Sequence, residues 1–107
     1  MVARRFDVWL VKLDPTVGSE IRKTRPCLVV SPDSLNRQLD TVIVVALTSR
    51  GFPAPFRVPC RFQGKNGQIV LDQPRAVDRA RLVRKLGRLA PATCELVLQV
   101  LGEMFAP

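Results

Sequence analysis

The chain has 107 residues, 47% of them hydrophobic, and a formal net charge of +8. That length and apolar content suit one folded domain spanning 1–107 with a real core, and they leave no run of about 18 apolar residues for a transmembrane helix. There is no His and no Tyr, which excludes a histidine acid–base pair, a Ser-His-Asp triad and a histidine metal site.

Residues 6–13 read as a first strand. Phe6, Val8 and Leu10 alternate with Trp9, Val11 and Leu13, so both faces are apolar and both should be buried. Asp14-Pro15 starts a turn, and residues 16–22 form a polar loop containing Gly18. A second strand follows over 24–30. Ser31 is a candidate helix N-cap with Pro32 at the first helical position, and 33–39 make a short helix. The Val- and Ile-rich segment 41–47 is a central strand ending in the polar cluster Thr48-Ser49-Arg50-Gly51. Two prolines make 52–55 a stiff, extended loop.

The fourth strand covers 56–62. Pro59 cannot donate to a ladder and so assigns it to a sheet edge. Residues 63–67 form a hairpin turn with Asn66-Gly67 as its signal. A fifth strand runs over 68–72 and ends before Pro74. One helical turn is expected over 77–82 with Asp78 at its start, then a strand over 83–89 bulged at Gly87. The last element is a helix opened by Pro91, with Leu96, Val97, Val100, Leu101 and Met104 at helical spacing. Its sparse charge, Glu95 and Glu103, suggests that part of its surface is an interface. The sum is α+β, mainly β: one curled, mostly antiparallel sheet or small barrel with a C-terminal helix.

The charge favours a polyanionic partner, and because the cations are spread along the chain a folded surface must gather them. The N-terminal residues are charged and lack an apolar core segment, so no secretory signal is expected and the cytoplasm is the expected location. Cys27, Cys60 and Cys94 have no C-x-x-C spacing and lie among apolar residues, which suits core packing. Nine carboxylates, none clustered, argue against a two-metal nuclease. No Walker or dinucleotide glycine pattern appears, so no cofactor is expected.

Arg25 stands directly before Pro26 at the mouth of the second strand. Proline biases the preceding residue away from the helical region, so backbone geometry sets its direction. A guanidinium fork held there suits phosphate oxygens. The alternative is a solvated loop beside a core strand. Thr48-Ser49 can equally cap a strand end, Asp72 can be a turn former, and Trp9 is a core residue. Arg57 and Arg61 share one face of the edge strand and are better groove candidates than Arg84, Lys85 and Arg88.

Phe6-Asp7-Val8-Trp9-Leu10, Leu13-Asp14-Pro15-Thr16-Val17-Gly18-Ser19-Glu20 and Lys23-Thr24-Arg25-Pro26 together resemble the N-terminal signature of the MazF/PemK/Kid family. Leu47-Thr48-Ser49, Leu71-Asp72-Gln73-Pro74-Arg75-Ala76-Val77-Asp78, Arg81-Leu82 and Lys85-Leu86-Gly87-Arg88-Leu89 continue the resemblance in order over essentially the whole chain. It implies the toxin of a type II toxin–antitoxin pair. The implied protein is a homodimeric, metal-independent endoribonuclease that cuts single-stranded RNA, often messenger RNA, and stops translation and growth. The implied fold is a small twisted β-barrel with helices, close to CcdB. The implied partner, besides RNA, is an acidic antitoxin that occupies the RNA groove.

Carried over by position, Arg25 matches the family's catalytic arginine and Thr48 its catalytic hydroxyl. Asp72 and Gln73 match an acidic-Gln pair that binds or cuts RNA, and Gly18, Ser19 and Glu20 match a loop over the substrate. With these, Lys23, Ser49, Arg50 and Arg57 are expected to contact RNA. The chain departs from some branches at Val70, where they carry arginine, and in lacking a first-loop histidine.

RNA supplies its own nucleophile, the 2′-hydroxyl. The protein must align it, stabilise phosphorane charge and move protons. Arg25 and Thr48 suit the charge. Arginine stays protonated and makes a poor base, so Asp72 or water is expected to accept the proton. Two readings of other classes compete: a non-enzymatic toxin of the same fold that binds a protein target such as DNA gyrase, and a plain RNA-binding module. Low aromatic content, 6%, argues against a base-stacking platform.

Overall fold

A computed structural model describes residues 2–14, 16–21, 23–49 and 54–107. The expectations placed on Pro15, Arg22, Arg50, Gly51 and the 52–53 part of the 52–55 loop lie outside them.

The alternation of the first strand sets the architecture. In β1 (Asp7–Lys12), Val8 faces one core while Trp9 and Val11 face another. β2 (Thr24–Val29) and β3 (Thr41–Thr48) repeat the pattern, with Cys27, Val29, Val44 and Ala46 on one side and Leu28, Val45 and Leu47 on the other. Burying each Val or Leu contributes about 1.5–3 kcal/mol, so a one-residue slip in either strand would expose a whole row. α2 (Pro91–Met104) covers the second face through Cys94 and Val97, with Pro91 at its first turn as expected. Leu96, expected on its apolar face, is instead exposed.

The remaining elements are α1 (Asp33–Gln38), β4 (Arg57–Phe62), β5 (Lys65–Val70), β6 (Arg75–Asp78), a 3-10 turn (Arg79–Arg81) and β7 (Leu82–Arg88). The sheet order is β4-β5-β3-β2-β1-β7, with β6 also on β3 and every pairing antiparallel. The mostly antiparallel sheet and C-terminal helix are as expected. The ladder does not close into a barrel: β4 and β7 are its ends. They approach through side chains, where Gln63 Nε2 donates to the Leu86 carbonyl at 3.3 Å.

Pro59 sits on the edge strand β4, as its missing N–H requires. Gly87 sits beside a bulge, since Val8 pairs with Gly87 but Trp9 with Lys85. Asp78 caps the 3-10 turn by accepting from the Ala80 N–H at 2.8 Å.

Three local expectations are corrected. The hairpin turn is Gln63-Gly64, both at positive φ, with Phe62 paired to Lys65; Asn66-Gly67 lies inside β5. The Asn-Gly pair misled because Gly67 has another task, described below. The stretch after Pro74 is a strand, β6, on the same edge of β3 as β5. Ser31 is not the N-cap of α1; Pro32 is. The Ser31 hydroxyl instead donates to Asn36 Oδ1 and accepts from the Ile43 N–H, tying α1 to β3.

The start of β1 is fastened by its neighbour β7, whose Arg88 pairs with Asp7 in the ladder. Buried Asp7 accepts from Arg88 Nη1 at 2.7 Å and from the Arg4 N–H at 2.9 Å, with Lys85 Nζ at 3.4 Å. Among the described residues, no helix is long and apolar enough to cross a membrane.

Candidate active site

The β2–β3 ladder pairs Cys27 with Ala46, Leu28 with Val45 and Val29 with Val44. Continued by two residues, that register sets Arg25 across from Thr48, the last residue of β3. Side chains alternate along a strand, so Arg25 and Thr48 share the face of Cys27 and Ala46. Both line one cleft of about 280 Å³, together with Ser49 and, from the β4–β5 hairpin, Phe62, Lys65, Asn66 and Gly67. Sequence positions 25 and 48 thus meet because two strands end together.

Gly67 explains how the hairpin comes so close. A Cβ built there would lie 2.4 Å from the Thr48 carbonyl oxygen. Only glycine lets β5 approach the end of β3 at that distance. A guanidinium, an ammonium and two hydroxyls therefore converge on one cleft, a donor set for an anion such as a phosphodiester. Among the described residues, no carboxylate lines it.

A second cleft, of about 370 Å³, shares no lining residue with the first. Its floor is Cys27, Val44 and Ala46; its rim is Ser19, Glu20 and Ile21 of the first loop with Gln73 and Arg75 opposite. Gln73 reaches there because residues 71–74 step between β5 and β6, which occupy successive parts of one edge of β3. The loop is held from that side. The Ile21 N–H donates to Gln73 Oε1 at 3.0 Å, Arg75 Nη1 donates to the Leu13 carbonyl at 2.6 Å, and Arg81 Nη1 donates to the Asp14 carbonyl. Within the loop, the Glu20 N–H donates to the Val17 carbonyl and Glu20 Oε1 accepts from the Val17 N–H, a turn that puts Gly18 at φ +60°.

Cys27 is not a candidate nucleophile. Burial pushes its thiol up to about 12, with the nearby Arg25 and Arg75 charges opposing only in part.

The expected site residues divide accordingly. Arg25, Thr48 and Ser49 line the first cleft, and Ser19, Glu20 and Gln73 the second. Asp72 lines neither: its carboxylate accepts from Arg57 Nε at 3.1 Å and Nη2 at 3.3 Å. That bond pushes the Arg57 guanidinium above its ordinary range. Gly18 and Lys23 are exposed and line neither cleft. Sequence reasoning did not single out Lys65, Asn66 and Gly67, whose only signal was an Asn-Gly pair read as a turn. It also did not assign Arg75 and Arg81 as loop anchors, and no local pattern marks them as such.

The fold and clefts define a small antiparallel β protein with a basic, hydroxyl-bearing site at the end of a two-strand ladder. Residues 4–105 match the family model described as the PemK-like, MazF-like toxin of type II toxin–antitoxin systems, and the chain belongs to that family. It is 40% identical over 106 residues to the endoribonuclease PemK of Escherichia coli, covering 94% of this chain and 77% of that protein. It is 35% identical over 95 residues to the endoribonuclease EndoA of Bacillus subtilis, covering 83% and 82%. Its fold is similar to that of crystalline MazF from Deinococcus radiodurans, with a TM-score of 0.85, 26% identity and coverage of 97% and 96%.

Proposed function

We propose that the chain is a toxin that cleaves single-stranded RNA, messenger RNA included, at a short sequence and so arrests translation and growth in the cytoplasm. The observation that carries this is the shared cleft of Arg25 and Thr48. A non-bridging phosphate oxygen pair meets the Arg25 fork, and the Thr48 hydroxyl donates to the same phosphate. The 2′-oxygen attacks phosphorus and the P–O5′ bond breaks. The products are a 2′,3′-cyclic phosphate and a 5′-hydroxyl that has taken up a proton. The 2′-proton passes to Asp72, if RNA displaces Arg57 from it, or to water. Lys65 adds positive charge, and the scheme uses no metal or cofactor.

Gly18, Ser19, Glu20, Lys23, Gln73, Ser49, Arg50 and Arg57 contact the RNA strand. The functional unit is a homodimer. Family membership supports an antitoxin partner, and the basic charge favours an acidic antitoxin segment that folds over the clefts and excludes RNA.

The test is incubation of the purified protein with long single-stranded RNA in excess EDTA, beside Arg25→Ala and Thr48→Val. Cleavage at one short motif by wild type, lost in Arg25→Ala, supports the proposal. RNA binding without cleavage across several RNAs overturns it and favours a toxin directed at a protein target.

A further inference from the structure

A row of paired residues runs from the cleft of Arg25 and Thr48 to β7. Pro26 lines the cleft, Leu10 of β1 pairs with Pro26, and Arg84 of β7 pairs with Leu10. Directly opposed residues on paired strands share a face, so Arg84 stands on the same side of the sheet as Pro26. Two strand spacings, about 10 Å, separate them. Between them Leu10 is half-buried, an apolar surface along which an arginine stem can lie with its charged head in water. Resting on the ribonuclease reading above, we propose that Arg84 binds a backbone phosphate of the RNA that flanks the one cut at Arg25 and Thr48.

Three observations support this role. First, β7 is tied to the cleft from its other side as well: Gln63, which lines the cleft, donates to the carbonyl of Leu86, two residues beyond Arg84. Second, the strand is bulged just before Arg84. Val11 pairs with Leu82 and Leu10 with Arg84, which leaves Val83 as the extra residue; bulges of this kind re-aim a side chain beside an active site. Third, Arg84 is uncommitted where its neighbours are not. Lys85 and Arg88 of the same strand are held by Asp7, Arg57 by Asp72, and Arg75, Arg79 and Arg81 by backbone carbonyls. Arg84 is exposed and makes no hydrogen bond or ion pair among the described residues.

The sequence reading preferred Arg57 and Arg61 as groove residues, but the Asp72 pair engages Arg57, and the strand register favours Arg84 instead. A guanidinium at this place extends the positive groove past the cleft, as proteins do that track a single strand by its backbone. Arg84 touches no reacting atom. It contributes to affinity and to salt dependence and leaves kcat unchanged.

The experiment pairs protein and RNA changes. The probe is a short RNA carrying the cut motif, made uncleavable by one 2′-deoxy nucleotide at the cut, with one phosphate at a time neutralised as a methylphosphonate. Its Kd is measured by fluorescence anisotropy over a range of salt for wild type, Arg84→Gln and Arg37→Gln, the last removing the same charge from the exposed end of α1. Arg84→Gln should weaken binding about 5–10-fold and reduce the salt slope by about 0.7, one phosphate contact on a single strand; Arg37→Gln should do neither. At one phosphate flanking the cut, neutralisation should weaken wild type by that same factor and Arg84→Gln hardly at all. Losses that multiply at every position, a salt slope unchanged in Arg84→Gln, or coupling to the scissile phosphate itself would overturn the proposal. So would unchanged RNA binding with weakened binding of a poly-glutamate peptide, which would assign Arg84 to an acidic protein segment. If wild type binds RNA but cuts none, the ribonuclease reading fails, and the same coupling on an all-ribose strand still decides Arg84. Wild type that binds no RNA overturns both.

Discussion

Gly67→Ala should uncouple activity from folding more sharply than any other small change. The added methyl carbon would stand 2.4 Å from the Thr48 carbonyl oxygen, about 1 Å short of ordinary contact at 3.4 Å. The obstacle is backbone, which has no rotamer to change, so β5 and the end of β3 must separate by roughly that distance. Overpacking of this kind costs about 1–3 kcal/mol, partly offset by about 0.4–1 kcal/mol from the stiffer unfolded chain. The net cost, at most about 2.6 kcal/mol, should lower melting by no more than about 10–20 °C. The effect on catalysis is larger, because a displacement of about 1 Å at a reacting group can cost on the order of 100-fold. The assay is single-turnover cleavage of a short RNA carrying the cut motif, beside thermal unfolding of the same preparation. A folded Gly67→Ala protein with wild-type kcat would refute the claim that Thr48 must be held at its observed place.

Asp7→Ala should lose about 2–3 kcal/mol in urea unfolding, since a buried carboxylate with charged partners is removed; a change under about 0.5 kcal/mol would show that the Arg88 and Lys85 contacts contribute nothing. Stability should fall as pH rises from about 9 towards 12. The unfolded chain releases the Cys27 proton near the ordinary thiol value of 9.0, whereas burial in the folded chain pushes it up to about 12, so the unfolded state is increasingly favoured across that window; Cys27→Ala should remove this part of the alkaline slope. Iodoacetamide at pH 8 should leave Cys27 unmodified in the native protein by mass spectrometry. Asp72→Asn should change stability by at most about 1 kcal/mol, because the Arg57 pair is at the surface; a silent, folded Asp72→Asn enzyme supports Asp72 as proton acceptor, and a fully active one removes it.

Local signals carried much of the fold. Pro59 announced an edge, Gly87 a bulge, Asp78 a cap and Pro91 a helix start, each through a backbone constraint that acts over a few residues. What local patterns could not show was the order in space. β6 was missed, its Val77 and Asp78 being assigned to a helical turn, because four residues after a proline carry no period of their own. Asn66-Gly67 was read as a turn because its glycine serves a contact with Thr48, distant in sequence. At the site, the resemblance singled out Arg25 and Thr48 as candidates, but only the β2–β3 register shows that the two meet. Likewise nothing near Arg75 or Arg81 in sequence reveals that each reaches back to carbonyls of the first loop.

The central claim is that Arg25 and Thr48 stabilise attack by the RNA's own 2′-hydroxyl. One measurement meets it directly: cleavage in EDTA of two otherwise identical RNAs, one with a single 2′-deoxy nucleotide on the 5′ side of the cut. The account predicts that the all-ribose strand is cut to a 2′,3′-cyclic phosphate and a 5′-hydroxyl, and that the single deoxy substitution abolishes the cut. Cleavage of the deoxy strand, or fragments ending in a 3′-hydroxyl and a 5′-phosphate, would contradict it.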